Sequence, residues 1–331
     1  EIDTTTHLMT GTVTDTGTTA NINGWKLIWG PKAPLTPATA RLGVHNFMAT
    51  IQAGLEGSTT VPQGDSWATA SVATTGTVTV SGKAADGTAI VTSAPMGPTG
   101  QFLVYQAMYP TTAQGTLMGT AQIDATPNVH AVTGSLTWSR PVQATTIKVY
   151  QTGCVTPLEL DVTGGLYVKP ATGAVVMGAK VPSLTTPLVY NSTINSTITF
   201  FSDSGIPTSA SAVNPNLNGN NTLPVLQGLR INSPGTVVAP TLATAGVLTT
   251  ANPGSVTLLV NSATGSFSGS FKLKDGAVLR TVLYSGLIVP DVTTTANTLD
   301  AVGAGSYLLT GNPATAPDST KSGRVTLLPI P

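Results

Sequence analysis

Apolar side chains in this chain recur at every second residue and almost nowhere at the three-to-four spacing of a helix, so its 331 residues can be organised only as strands. Gly76-Thr77-Val78-Thr79-Val80-Ser81-Gly82 is the clearest case: Val78 and Val80 fall on one face and hydroxyls on the other. β-Branched Thr and Val suit such a half-wet, pleated surface. Comparable runs are Leu8 to Val13, Ser66 to Val72, Phe102 to Tyr105, Ala131 to Trp138, Thr146 to Tyr150, Thr193 to Phe201, Ser255 to Val260, Ser266 to Leu273, Leu279 to Val289, Ser306 to Leu309 and Gly323 to Leu328. Turn signals such as Asp86-Gly87, Pro98-Thr99-Gly100, Asn218-Gly219-Asn220 and Asp275-Gly276 separate them. Many short strands at this spacing predict an all-β chain of antiparallel barrels or sandwiches, and its length favours two β domains over one.

An internal echo supports a division into halves. Thr75-Gly76, Lys83 and Asp86-Gly87 return as Thr264-Gly265, Lys272 and Asp275-Gly276, at a constant offset and with strand-like residues between, which reads as a related hairpin in each half and points to internal duplication. The predicted organisation is an N-terminal strand segment over 1–43, a first β domain over 44–181 and a second over 182–331. The boundary falls at Pro182 to Pro187, and the Pro-rich stretch 202–254 is expected to form long loops.

Charge is scarce. Fourteen basic and fourteen acidic residues cancel, and charged side chains make up only 8% of the chain, against about a quarter in an ordinary domain. With no net field, neither nucleic acid nor an anionic membrane surface is an expected partner. No apolar run approaches the ~18 residues that span a bilayer as a helix. Near-zero net charge does favour association between copies. Stability is expected to rest on burial and ladder hydrogen bonds, with weak dependence on pH and salt. Cys154 stands alone, so no intrachain disulfide forms. A start at Glu1 instead of Met is what a processed product or an excised fragment would show.

Chemistry-bearing residues are sparse and scattered. His7, His45 and His130 lie far apart without metal-ligand spacing, and no metal or cofactor site is expected. Gly265-Ser266-Phe267-Ser268-Gly269 has Phe where a hydrolase nucleophile would sit. Asp65, Asp86, Asp161 and Asp275 lie near turn glycines, where capping is their ordinary role. Asn191, Asn195 and Asn220 fit the glycosylation acceptor pattern. Gly24-Trp25-Lys26-Leu27-Ile28-Trp29-Gly30 is the most aromatic segment, and Trp25, Trp29 and Trp67 are candidates for stacking on a sugar face, with core packing as the alternative.

Val61-Pro62-Gln63-Gly64-Asp65, the run from Gly76 through Thr88, and Gly134-Ser135-Leu136-Thr137-Trp138-Ser139-Arg140-Pro141 resemble an uncharacterised β-rich module of large secreted or surface proteins of verrucomicrobial and planctomycete-type bacteria. Similar later motifs are Gly265-Ser266-Phe267-Ser268-Gly269-Ser270-Phe271, Tyr284-Ser285-Gly286, Gly303-Ala304-Gly305-Ser306-Tyr307 and Ser322-Gly323-Arg324-Val325-Thr326-Leu327. The resemblance covers residues 44 to 328 and implies a secreted, all-β module that brings no catalytic residues with it.

The expected function is therefore that of a non-catalytic extracellular structural protein, the subunit of a self-assembling filament, sheath or surface layer. Its copies would be joined in part by a strand over Leu8, Met9, Thr10, Thr12 and Val13 added to a neighbour's sheet edge. The alternative is a secreted adhesion module that binds polysaccharide or another cell surface.

Overall fold

The structure is a computed structural model that describes residues 1–109, 114–144, 146–170, 196–201, 227–232, 236–244, 247–249, 255–275, 278–291, 300–310 and 320–329. It is all-β, and among the described residues the one helical element is the single 3-10 turn Thr39–Arg41. Three sheets form. The first is a hairpin of β1 (Leu8–Asp15) and β2 (Thr18–Trp25), paired in register from Leu8 opposite Trp25 to Asp15 opposite Thr18.

The second sheet comprises β3 (Gly43–Ile51), β4 (Ser66–Val72), β5 (Thr77–Lys83), β6 (Ala89–Pro95), β7 (Gln101–Met108), β8 (Gly115–Ile123), β9 (Val132–Ser139) and β10 (Leu158–Leu166). Its order is β6-β5-β4-β3-β10-β9-β8-β7, an up-and-down meander whose first strand pairs with its last, leaving one seam between β6 and β7. The result is a nearly closed barrel. One face of each strand turns inward, so Phe47, Ala68, Ala70, Val78, Val80, Phe102, Leu117, Leu136, Trp138 and Leu160 fill a single core. Eight strands leave an interior just wide enough for side chains. Only a small apolar void remains along the axis, lined by residues such as Phe47, Val80, Val104 and Leu117.

The third sheet comprises β11 (Ser196–Phe200), β12 (Gln227–Asn232), β13 (Thr236–Thr244), β14 (Val247–Thr249), β15 (Thr257–Asn261), β16 (Ser266–Asp275), β17 (Val278–Asp291), β18 (Asp300–Thr310) and β19 (Thr320–Pro329). Its order, β14-β13-β12-β11-β19-β18-β17-β16-β15, again closes a meander first strand to last and again leaves its ends open. The sheet curls over an aromatic core in which Phe200 stacks on Phe271 with centroids 4.3 Å apart and meets the edge of Tyr284 at 5.1 Å. Glycines make room for these rings. A Cβ at Gly286 would lie 2.2 Å from Phe267, and one at Gly323 would lie 2.1 Å from Tyr307.

Three expectations change here. The stretch 202–254 holds β12, β13 and β14 and is not simply loop; Pro240 falls within β13, so the prolines of this stretch do not exclude a ladder. Thr146 to Tyr150 makes no strand of its own, and only Val149 bridges to Thr320. The echo recurs in form at its opening turn, since Gly76 and Gly265 both take a φ of 76° and the carbonyl of each accepts a backbone N–H, from Met96 in one half and Ile288 in the other. It does not align the halves, however. β5 is the third strand of its meander and β16 the sixth, on opposite sides of the break. The expected boundary at Pro182 to Pro187 and the acceptor asparagines Asn191, Asn195 and Asn220 lie outside the described residues.

The two large sheets pack wall against wall. Met48 and Trp67, on the outer faces of β3 and β4, press on Leu287, Val289 and Ala304 of β17 and β18. At the centre Asn46 is wholly buried. Its Nδ2 donates to Thr264 O at 2.9 Å and to Ile288 O at 2.8 Å, and its Oδ1 accepts from Thr69 Oγ1 at 3.1 Å. Around this clamp the Asp65 N–H donates to Gly305 O, the Gln63 N–H to Ser322 Oγ, and Tyr167 Oη to Ser262 O. An unsatisfied buried carbonyl costs about 1–3 kcal/mol. Asn46→Ala is therefore expected to lower the free energy of urea unfolding by roughly 2–4 kcal/mol. Asn46→Asp, which turns an acceptor toward two carbonyls, should be worse. Equal losses in the two variants would show that the donors do not hold the sheets together.

Candidate functional site

Apart from those at the wall between the sheets, buried polar side chains gather at the barrel's two ends. At the end formed by the start of β3 and the end of β8, His45 is fully buried and His130 almost so. Their Nε2 and Nδ1 atoms lie 3.3 Å apart, and the rings stack with centroids 5.5 Å apart. His45 Nδ1 sits 3.2 Å from Ala70 O, which can only accept. A neutral His45 thus carries its proton on Nδ1 and offers Nε2 to the Nδ1–H of His130. Sequence spacing did not suggest this pair, because His130 arrives from the loop before β9, held at a φ of 41°. Burial pushes the His45 imidazole down to about 4, and burial also lowers His130, opposed by Asp124 and aided by Arg41.

Residues 29–42 complete this end, so the N-terminal segment expected over 1–43 contributes its last third to the barrel. Trp29 Nε1 donates to Gly97 O at 3.0 Å, its ring covers Gly76, and the Arg41 guanidinium lies 6.0 Å from the ring centroid. Arg41 Nε and Nη2 donate to Ile123 O and Thr99 O. The opposite end is sealed by an ion pair. Arg140 Nη1 and Asp86 Oδ2 lie 2.7 Å apart, each side chain only 1% exposed. The same carboxylate oxygen accepts Tyr109 Oη at 2.7 Å, Tyr109 Oη accepts Trp138 Nε1, and Asp86 Oδ1 accepts the Thr88 N–H. Asp86 is thus a turn-capping residue, as its neighbouring glycine suggested, and an interior anion as well.

These groups are poor reagents. Burial and Asp86 push the Tyr109 phenol far up, and burial raises the Cys154 thiol, so neither supplies a nucleophile at neutral pH. The Asp86 carboxylate is engaged on both oxygens. Among the described residues no group of three or more His, Cys, Asp or Glu side chains is gathered as a metal site, and no helix is long and apolar enough to cross a membrane.

The sequence's stacking candidates go to separate places. Trp29 packs on the barrel core, Trp67 lies in the wall between the sheets with its Nε1 unpaired among the described residues, and Trp25 sits half-buried at the base of the hairpin. Trp29 and Trp67 are packing residues here, and the three rings build no common platform. The N-terminal strand finds its partner within the chain: Leu8, Met9, Thr10, Thr12 and Val13 pair with Trp25, Gly24, Asn23, Asn21 and Ala20. What projects is a complete hairpin, in which every residue from Met9 to Asn23 is exposed, on both faces.

Two consequences can be measured. His45 and His130 are depressed in the fold, so their neutral forms contribute stability that is complete above the ordinary histidine pKa of 6.5 and is lost as pH falls toward about 4. The His45 part alone is worth roughly 3 kcal/mol. Urea midpoints are expected to fall between pH 6.5 and 4, which stands against the expectation of weak pH dependence; a flat profile would refute the buried neutral pair. Separately, Arg140→Ala strands Asp86 and should cost about 3–5 kcal/mol, whereas pairing Arg140→Met with Asp86→Leu should recover most of it.

Compared with protein-family models, with curated proteins and with solved structures, the chain matches none.

Proposed function

We propose that this chain is a non-catalytic, extracellular structural subunit that assembles with copies of itself into a filament, sheath or surface layer. The observation that carries this reading is the β1–β2 hairpin. A two-stranded hairpin is marginal in water unless a third layer covers it, yet this one is exposed on both faces and displays Met9, Val13 and Ile22 beside Ile2. A neighbouring copy would supply the missing layer. The net charge of zero removes the repulsion that keeps copies of most proteins apart. Two barrel ends sealed by polar side chains suit a building block better than a receptor for small ligands. Binding of polysaccharide is less well supported, since Trp29 and Trp67 are taken up in packing.

Negative-stain microscopy and mass photometry over a range of concentrations test the proposal. Fibres, sheets or a ladder of oligomers are expected from the whole chain, and deletion of residues 2–25 should abolish them while leaving the free energy of urea unfolding within about 0.5 kcal/mol, as for a change remote from the core. A uniform 33.5 kDa monomer at every concentration would overturn it.

A further inference from the structure

The hydrogen bonds of the His45–His130 pair accommodate one added proton but not two. The His45 Nδ1–H is committed to Ala70 O of β4 at 3.2 Å, and His45 Nε2, 3.3 Å from His130 Nδ1, accepts the one proton between the rings. A first added proton fits on His130 Nε2, where Asp124 favours the cation against the cost of burial, and it leaves the shared bond intact. A second must go to His45 Nε2, and N–H then faces N–H across 3.3 Å. Among the described residues the charges that act on the pair are Asp124, just past β8, and Arg41 on the 3-10 turn; β4 offers a carbonyl, and β10 sets Leu166 opposite His45. Asp124 is itself occupied, by the N–H groups of Thr126 and Ala131 and by the Thr126 hydroxyl.

The pair also sits at the head of a chain of contacts. His130 stands at a φ of 41°, a costly value for a residue with a side chain, and holds it only while its surroundings enforce it. The same loop presents Val129 O to the Leu166 N–H at 2.9 Å. The next residue, Tyr167, gives its N–H to Val44 O and its hydroxyl to Ser262 O, each at 2.8 Å. Its ring lies against Gly265, where a Cβ would be 2.8 Å from both that ring and Asn46 Nδ2. Loop 124–131, the end of β10 and the turn 261–265 of the third sheet are thus linked in series, from His45 to the Asn46 clamp.

We infer that the His45–His130 pair is an acid-sensitive latch on the joint between the two large sheets: a second proton on the pair expels His130 and frees Leu166 and Tyr167 from the turn 261–265. This goes beyond a general loss of stability in acid, because it says where the molecule opens. The apolar wall of Met48, Trp67, Leu287 and Val289 stays packed, so acid releases one end of the joint and not the whole of it.

Amide hydrogen exchange on the whole chain, corrected for the intrinsic effect of pH, tests the latch. The N–H groups of Leu166, Tyr167 and Gly265 are expected to exchange on the order of 50- to 100-fold faster at pH 4.5 than at pH 7.5, the factor by which a histidine held at about 4 in the fold and released to 6.5 favours opening. Val80 and Gly119, in the middle of β5 and β8, should keep their rates. His130→Gln retains a donor for the neutral His45 and can turn its carbonyl to a protonated one, so it should abolish the acid response and leave the rates at pH 7.5 close to those of the wild type. His45→Gln, which cannot take up the second proton, should abolish the response as well. Equal rates at both pH values in the wild type, acceleration that reaches Val80 and Gly119 equally, or an acid response that survives in these variants would each overturn the latch.

Discussion

Both faces of β3 are buried, and the rest of the molecule is arranged around that constraint. His45, Phe47, Ala49 and Ile51 point into the barrel, while Asn46 and Met48 point at the neighbouring sheet. Burial of a face already specifies a strand's register, and a polar contact adds to that specification. Asn46 supplies that contact, because only one alignment sets its two donors on the carbonyls of Thr264 and Ile288. The cost of breaking those bonds couples a turn of one sheet to the wall of the other, and it makes the two domains one packed body.

Charge is used sparingly, and an ion pair is placed inside. An ordinary domain spreads ions over its surface, where each pair contributes little; here Asp86 and Arg140 close one end of the barrel with side chains that are almost wholly hidden. Removing charges from water is costly, and the pair is held by a phenol, a backbone N–H and a carbonyl in addition to each other. The opposite end uses neutral imidazoles for the same purpose. An outer surface of Thr, Ser and Asn then has little to distinguish one copy from another electrostatically, so recognition between copies falls to shape and apolar contact.

Period-two alternation made the half-exposed strands legible. β5, with Val78 and Val80 inward and Thr77, Thr79 and Ser81 outward, was plain from sequence, as were β1, β4, β9 and β16. β3 was not, since Gly43-Val44-His45-Asn46-Phe47-Met48-Ala49-Thr50-Ile51 is covered on both faces and shows no alternation. The His45–His130 contact was invisible for a related reason: the residues are 85 positions apart, and their meeting follows from barrel closure between β3 and β10, not from a local motif. Trp67 read as a stacking candidate from its residue type, with packing as the alternative; the outer side of β4 is covered by the other sheet, which sequence does not show.

The seam gives the barrel a direction. Every other neighbouring pair of strands is joined by a main-chain ladder, whereas β6 and β7 share Gly97 and Gln101 at their turn and are then bridged by the side chains of Gln106 and Thr92. Under tension the ladders resist in shear, many bonds at once, while the seam yields as a zipper of two. A load along the strands is borne by the whole cylinder, and a load around its girth opens one known line.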